Sequence, residues 1–374
     1  MNQHRLVTIV GTRPEVIKMA PVVLELRRWQ SEFDHIIVNT SQHREMVVSA
    51  LTLFGIKPDI DLDLMEHNQS LGSFASRSLS SLSNLFAELK PEMILVQGDT
   101  TTVMTAGLAA FYQGIKIGHV EAGLRSFDRQ HPFPEEINRR FVSLLADLHF
   151  APTDRARENL MRDGAAPDSI FVTGNTIVDA LQLIPPASGF DDRRLDDIDY
   201  TATRVLLVTA HRRENHGAPL RSICRALKEL IGKFADVQIV FPVHLNPNVR
   251  SLVYEELGQV AEIHLVEPTS YRDLLGLMRR CYLILTDSGG IQEESVSFHK
   301  PVLVLREVTE RPEVVEVGAG RVIGTDTLRI IEEASKLLTD EQQYQTMRAA
   351  ENPFGDGHAA ERIVKILMTQ FNLA

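Results

Sequence analysis

The sequence predicts an α/β protein of two doubly wound halves whose binding loops face a central cleft. Three observations predict it. Its 374 residues exceed what one hydrophobic core usually organises, so two domains are expected. Short runs rich in Val, Ile and Leu recur along the chain, each ending in a polar turn and followed by a stretch of helical length, the βαβ rhythm of parallel sheets. Between the halves, residues 185–200 carry Pro-Pro, Ser-Gly and repeated Asp, the composition of a connector. The expected division is residues 1–184, a linker over 185–203, and 204–356. The last segment, 357–374, has Ile363, Ile366 and Leu367 at helical spacing and is expected to pack back and join the first half.

Composition narrows the function classes. Hydrophobic residues at 44% and charged residues at 24% are ordinary globular values. A formal net charge of −11 disfavours nucleic-acid binding, so any phosphate must be gripped locally. No apolar run reaches the roughly 18 residues of a membrane span, and Met1 to Arg13 lacks a signal-peptide pattern, so cytoplasmic residence is expected. Cys224 and Cys281 are the only cysteines, too few for a disulfide framework and in no metal-ligand spacing.

In the first half the strands are expected at 6–10, 35–39, 93–96, 116–120, 148–151 and 170–173. In a doubly wound sheet, function is sought just after each strand. Strand 6–10 runs into Gly11-Thr12-Arg13-Pro14-Glu15, with Lys18 one turn on. Pro14 suits a first helical turn, and the helix start, Arg13 and Lys18 together suit an anion; a plain capped helix with solvated charges is the alternative. Strand 93–96 ends in Gln97-Gly98-Asp99-Thr100, and strand 116–120 in Glu121-Ala122-Gly123-Leu124-Arg125. Both place a carboxylate where substrate should lie, although Asp99 could be a helix N-cap and Glu121 the partner of Arg125 or Arg139. Pro132-Phe133-Pro134-Glu135-Glu136 adds a third acidic loop, with Glu135 opening a helix.

In the second half the strands are expected at 205–209, 238–243, 263–266, 283–286 and 302–305. The first runs into Ala210-His211-Arg212-Arg213, where a histidine and two arginines can neutralise phosphate and exchange a proton, or simply form a surface loop. The second ends near His244, held between Pro242 and Pro247. Strand 283–286 leads through Asp287 into Ser288-Gly289-Gly290, a small-residue turn whose backbone N–H groups can converge on an anion, or a tight structural turn. Glu294, one turn in, can accept hydrogen bonds from a ribose diol, and Arg311 in Thr309-Glu310-Arg311-Pro312-Glu313 adds a fixed positive charge. No Walker-type run appears, which argues against a P-loop nucleotidase.

Taken in order, the runs G-T-R-P-E-V-I-K-M-A-P, Q-H-R-E-M, G-D-T-T-T, H-V-E-A-G-L-R, P-F-P-E-E-I-N-R, G-N-T-I-V-D-A-L, T-A-H-R-R-E-N, P-V-H-L-N-P-N-V, T-D-S-G-G-I-Q-E-E and T-E-R-P-E span nearly the whole chain. The set resembles the non-hydrolysing UDP-N-acetylglucosamine 2-epimerases. That resemblance implies a glycosyltransferase-B-like architecture of two Rossmann-like domains, usually a homodimer, acting on UDP-N-acetylglucosamine. It implies elimination of UDP to 2-acetamidoglucal and re-addition to give UDP-N-acetylmannosamine for bacterial surface polysaccharides, with no cofactor. It makes Asp99, Glu121 and Glu135 the acid/base candidates, with His211 assisting near the pyrophosphate and Lys18 in the substrate site. Arg13, His211, Arg311 and the Ser288, Gly289 and Gly290 amides suit the leaving group, while Glu294 suits the ribose. No acidic metal-binding cluster is evident, so no divalent ion is expected.

Some members of that family bind their substrate at a second, regulatory site, and the matching positions here are Gln42, His43, Glu135, Arg212 and His244. The chain departs at Glu45, where some regulated members have Gln, and at Asn68, where they have Arg. Thr269, after Pro268, is shorter than the Gln of many relatives at the uracil contact. The rival readings are a hydrolysing relative releasing UDP and N-acetylmannosamine, a glycosyltransferase of the same fold, and a non-catalytic nucleotide-sugar sensor. The last needs none of Asp99, Glu121 and Glu135.

Overall fold

A computed structural model of the chain describes residues 3–42, 44–66, 69–186 and 188–373, residues 44 and 45 by their backbone alone. The chain divides into two compact units, Met1–Ile184 with Phe354–Ala374, and Pro185–Pro353.

The first unit is built on strands β1 (His4–Val10), β2 (Phe33–Asn39), β3 (Ile60–Asp61), β4 (Met93–Gln97), β5 (Lys116–Val120), β6 (Leu148–Ala151) and β7 (Ile170–Val172). They pair in parallel in the order β3-β2-β1-β4-β5-β6-β7. Near-continuous apolar runs suit strands covered on both faces. Val7, Ile9, Ile94 and Val96 meet Leu82, Phe86, Ala106, Ala109 and Val142 from the helices Leu71–Leu89, Thr101–Phe111 and Glu135–Leu145. The helices Arg13–Arg27, Thr176–Leu183 and Ala359–Gln370 pack on one another. The C-terminal helix is tied down where Ala360 N–H donates to Asp179 Oδ1 at 2.8 Å.

The second unit repeats the plan with β8 (Arg204–Thr209), β9 (Val237–Pro242), β10 (Ile263–Val266), β11 (Leu283–Thr286), β12 (Val302–Val304) and β13 (Gly320–Val322), in the parallel order β10-β9-β8-β11-β12-β13. Its core joins Leu206, Val208, Ile239, Phe241 and Leu285 to Ile223, Leu227, Val253 and Leu337 of three helices. The predicted α/β class, with doubly wound parallel sheets, is what the structure shows.

In both sheets the strand order reverses once, between β1 and β4 in the first and between β8 and β11 in the second. At such a switch point neighbouring connections leave on opposite faces, so a crevice opens at the strands' carboxyl ends. The loops there are 11–12 and 98–100 in one unit, and 210–212 and 287–288 in the other.

The structure differs from the sequence reading in three places. Strands β3 and β13 were not anticipated, since Ile-Asp and Gly-Arg-Val lack the continuous apolar run that marks the three-residue β7 and β12. Residues 185–203, read as a connector, pack into the second unit instead. Phe190, Leu195 and Ile198 are buried there, the Arg280 guanidinium lies 4.5 Å from the Phe190 ring centroid, and Asp273 accepts the Asp191 and Asp192 N–H groups at 2.9 and 3.2 Å. The Pro and Asp content hid three apolar anchors. Among the described residues, no helix is long and apolar enough to cross a membrane.

Candidate active site

At the first unit's switch point the chain has room for glycine only. A Cβ on Gly11 would lie 2.1 Å from Thr40 Oγ1 and 2.6 Å from Thr102 Oγ1. The helix Arg13–Arg27 begins at once, and Glu15 folds back so that its Oε2 accepts the Gly11 and Thr12 N–H groups at 2.5 and 2.9 Å. Its other oxygen accepts the Thr100 hydroxyl, which ties the loop after β1 to the loop after β4. Lys18 is one helical turn further on, on the same face. It bridges to Glu121, with both side chains almost buried. One helix therefore carries two ionisable groups that reach the loops following two different strands.

Asp99 does not cap the next helix. Thr100 does, accepting the Val103 N–H at 3.3 Å, and Asp99 is left to pair with Arg139. Asn138 of the same helix donates to the Asp99 carbonyl at 2.9 Å, so the helix Glu135–Leu145 fixes the Asp99 turn twice. Glu121 is held at φ +61°, a left-handed conformation that costs a non-glycine residue roughly 1–3 kcal/mol. Arg125, weighed as its partner, instead binds Asp163 at 2.7 Å and the Ser143 hydroxyl at 3.0 Å. Glu135 is half-buried at the start of its helix, and both His131–Pro132 and Phe133–Pro134 are cis. Gln42 accepts the Thr102 hydroxyl at 2.8 Å. His43, Asn68 and the Glu45 side chain lie outside the described residues.

Burial sets the titration of this region. It pushes Glu15 up from 4.5 to about 7, against hydrogen bonds from Thr100, Gly11 and Thr12, with nearby Asp99 adding to the rise. It pushes His119, whose Nε2 donates to the Gly98 carbonyl at 2.8 Å, down to about 3, and His149 down to about 4. The signs oppose. Between about pH 4.5 and 6.5 the unfolded chain gains a proton on each of these two rings, while the folded chain keeps one on Glu15 that the unfolded chain releases. The rings outnumber the carboxyl, so stability falls as pH drops through that window. Glu15 contributes stability fully present below pH 4.5 and lost as pH rises through about 7. Urea midpoints should fall from pH 6.5 to pH 5, and less so in His119→Gln; parallel curves for the two proteins would contradict the assignment.

In the second unit, the residue after β11 organises the loop after β8. Asp287, fully buried, accepts the His211 and Arg212 N–H groups and the Asn215 amide on Oδ2, each at 2.9 Å. The His211 ring lies 5.6 Å from that of His244, nearly parallel at 15°. Ser288 precedes the helix Gly289–Ser297, whose first-turn N–H groups have no intrahelical acceptor and are not crowded by side chains at Gly289 or Gly290. The Ser288 N–H, expected to join them, is instead donated to the Thr286 hydroxyl at 3.0 Å, which leaves the Gly289 and Gly290 amides for an anion. Arg311 bridges to buried Glu293 and donates to the Glu310 carbonyl at 3.2 Å. Glu294 accepts the Tyr271 hydroxyl at 2.9 Å. Burial would raise the Glu310 carboxyl, but hydrogen bonding and charge from Arg306, with Arg311 and Arg212 nearby, hold it at about 2. Arginines, a histidine and a helix start thus gather where an anionic group can be held.

Each unit therefore collects its own candidates. Arg13, Lys18, Asp99, Glu121 and Glu135 belong to the first, and His211, Arg212, His244, Ser288, Gly289, Gly290, Glu294 and Arg311 to the second. The sequence reading missed the seats of Glu15, Asn138 and Asp287. The signal for Asp287 was available, because a doubly wound order sets the residue after β11 beside the loop after β8.

Two Rossmann-like units of this kind place the chain in the glycosyltransferase-B-like class of α/β folds. The sequence model of the family described as UDP-N-acetylglucosamine 2-epimerase matches residues 25–368. The Bacillus subtilis UDP-N-acetylglucosamine 2-epimerase is 47% identical over 371 residues, 99% of this chain and 97% of that protein. The structure is similar to the S. aureus MnaA-UDP co-structure, at TM-score 0.92 and 47% identity over 100% of this chain and 98% of that one. It is similar also to the UDP-GlcNAc 2-epimerase from Neisseria meningitidis bound to UDP-GlcNAc, at TM-score 0.90 and 43% identity over 98% of this chain and 100% of that one. The chain belongs to the UDP-N-acetylglucosamine 2-epimerase family.

Proposed function

We propose that the protein interconverts UDP-N-acetylglucosamine and UDP-N-acetylmannosamine without net hydrolysis, through elimination of UDP and its re-addition to 2-acetamidoglucal. The C2 hydrogen has no carbonyl beside it. It becomes labile only as C1 gains cationic character when the diphosphate departs, so stabilisation of the leaving group comes first. His211, Arg311 and the N–H groups of Gly289 and Gly290 are the groups of the second unit suited to that task, with Arg13 from the first. Glu294 is suited to the ribose hydroxyls.

Removal and return of a proton on opposite faces of C2 needs more than one acid/base group. The observation that carries the reading is the paired arrangement in the first unit, Asp99 on Arg139 and Glu121 on Lys18, with Glu135 at the start of the helix that supplies Arg139. A nucleotide-sugar sensor has no use for such pairs. The resemblance extends the proposal to a homodimer that supplies bacterial surface polysaccharide synthesis. It also makes Gln42, His43, Glu135, Arg212 and His244 candidates for regulatory binding of the same nucleotide sugar.

The test is incubation with UDP-N-acetylglucosamine in heavy water, followed by NMR. The expected result is a manno isomer still attached to UDP, with deuterium at C2. Free N-acetylmannosamine with stoichiometric UDP would establish the hydrolysing alternative, and no change at C2 would end the epimerase reading.

A further inference from the structure

Asp287 is more than the anchor of a loop. Its Oδ2 already takes three N–H groups, while its Oδ1, equally buried, accepts no hydrogen bond among the described residues. A carboxylate oxygen in that position needs a donor, since its water has been stripped away without replacement. The group facing it is the His211 ring, with Nδ1 at 3.4 Å from Oδ1. That is a few tenths of an ångström beyond a formed N–H···O bond, and such contacts often tighten when a ligand settles.

We propose that Asp287 is a positioning residue for His211, its Oδ1 holding the ring's proton on Nδ1 so that Nε2 is the nitrogen offered to the nucleotide diphosphate. The backbone makes the arrangement stiff. The same carboxylate that faces the ring also fixes the N–H of His211 itself and of Arg212, so ring and main chain are oriented from a single buried point. Strands β8 and β11 pair directly, Thr209 opposite Thr286, which sets the two loops side by side. Two other rings stand close to His211. His244 stacks on its ring, and His216 Nε2 faces its carbonyl at 3.4 Å. Arg212, next in the chain, has its N–H on Asp287.

With Nδ1–H on Asp287, Nε2 carries a lone pair in the neutral ring and gains a proton when the ring charges. It can then donate to a departing phosphate oxygen and take that proton back when UDP returns. No atom is consumed over the full cycle. This part of the inference rests on the epimerase reading, whereas the tautomer itself does not.

Asp287→Asn separates the two roles. The asparagine oxygen can take over the three N–H groups and keep the loop folded, leaving its amide nitrogen toward the ring. An amide N–H there donates to Nδ1 and drives the proton to Nε2, the wrong tautomer for the proposed task. Nitrogen-15 NMR of the histidine rings, with the His211 signals identified from their loss in His211→Gln, reads this directly. The expected result is Nδ1–H in the neutral ring of the wild-type protein, Nε2–H in Asp287→Asn, and a fall in epimerase kcat of roughly 100-fold or more with a smaller change in KM. Nε2–H in the wild-type protein would overturn the proposal whatever the activity. An altered tautomer with unchanged kcat would remove the role in the reaction. If the wild-type protein does not epimerise at all, the functional reading fails, and the wild-type spectrum still decides the pairing.

Discussion

Asp99→Asn and Glu121→Gln should each reduce epimerase turnover by orders of magnitude while leaving UDP affinity within a few-fold of wild type. Each exchanges a carboxylate for an amide that cannot take up a proton, so a group acting on C2 loses a factor on the order of 100 or more. The nucleotide and diphosphate are assigned to Arg13 and to residues of the second unit, none of which these substitutions replace. The stability cost should differ between the two. Asp99 is a quarter exposed and its amide replacement can still accept from Arg139, so a small change in the urea midpoint is expected. Glu121 and Lys18 are both almost buried, and neutralising one partner leaves the other charge with little water, a loss of about 1–3 kcal/mol. Turnover near wild type in both variants would remove the catalytic assignment. A large rise in the UDP dissociation constant would mean that these carboxylates shape the nucleotide site instead.

Helix and strand types could be read because most strands are continuous apolar runs bounded by turns, even where they are only three residues long, as in β7 and β12. The short strands β3 and β13 could not, since their assignment depends on neighbours rather than on their own residues. The same distinction governs the site. Asp99 and Glu121 stand out because each directly follows a strand, and strand ends in this fold face ligand. Their partners did not stand out. Arg139 lies forty positions after Asp99, and Lys18 more than a hundred before Glu121, so only the fold brings them within reach. Glu15 has no role of its own in the reading of the G-T-R-P-E run, yet it is the buried link between two loops. The stretch 185–203 failed for the opposite reason: its polar composition is real, but three apolar residues suffice to seat it.

Arg311→Ala should weaken UDP binding and destabilise the fold at once, and the structure shows how to separate these effects. The guanidinium is bridged to Glu293, which is wholly buried. Truncation removes the guanidinium partner of that buried carboxylate, and breaking a buried pair from one side costs about 3–5 kcal/mol. A weaker UDP complex in the single variant is therefore ambiguous, because a loosened helix Gly289–Ser297 would also misplace the amides of the Ser288–Gly290 turn. Glu293→Gln resolves this. In Arg311→Ala with Glu293→Gln the carboxylate charge that Arg311 faced is removed as well, so most of the lost stability should return. A guanidinium bound to phosphate is worth about 1.5–3 kcal/mol, roughly 10- to 100-fold in the dissociation constant, and the double variant cannot restore it. The expected pattern is a recovered urea midpoint with calorimetric UDP affinity still depressed. If affinity returns together with stability, Arg311 acts by holding Glu293 and the helix in place, and contact with the diphosphate must be assigned to His211, Arg13 and the turn amides.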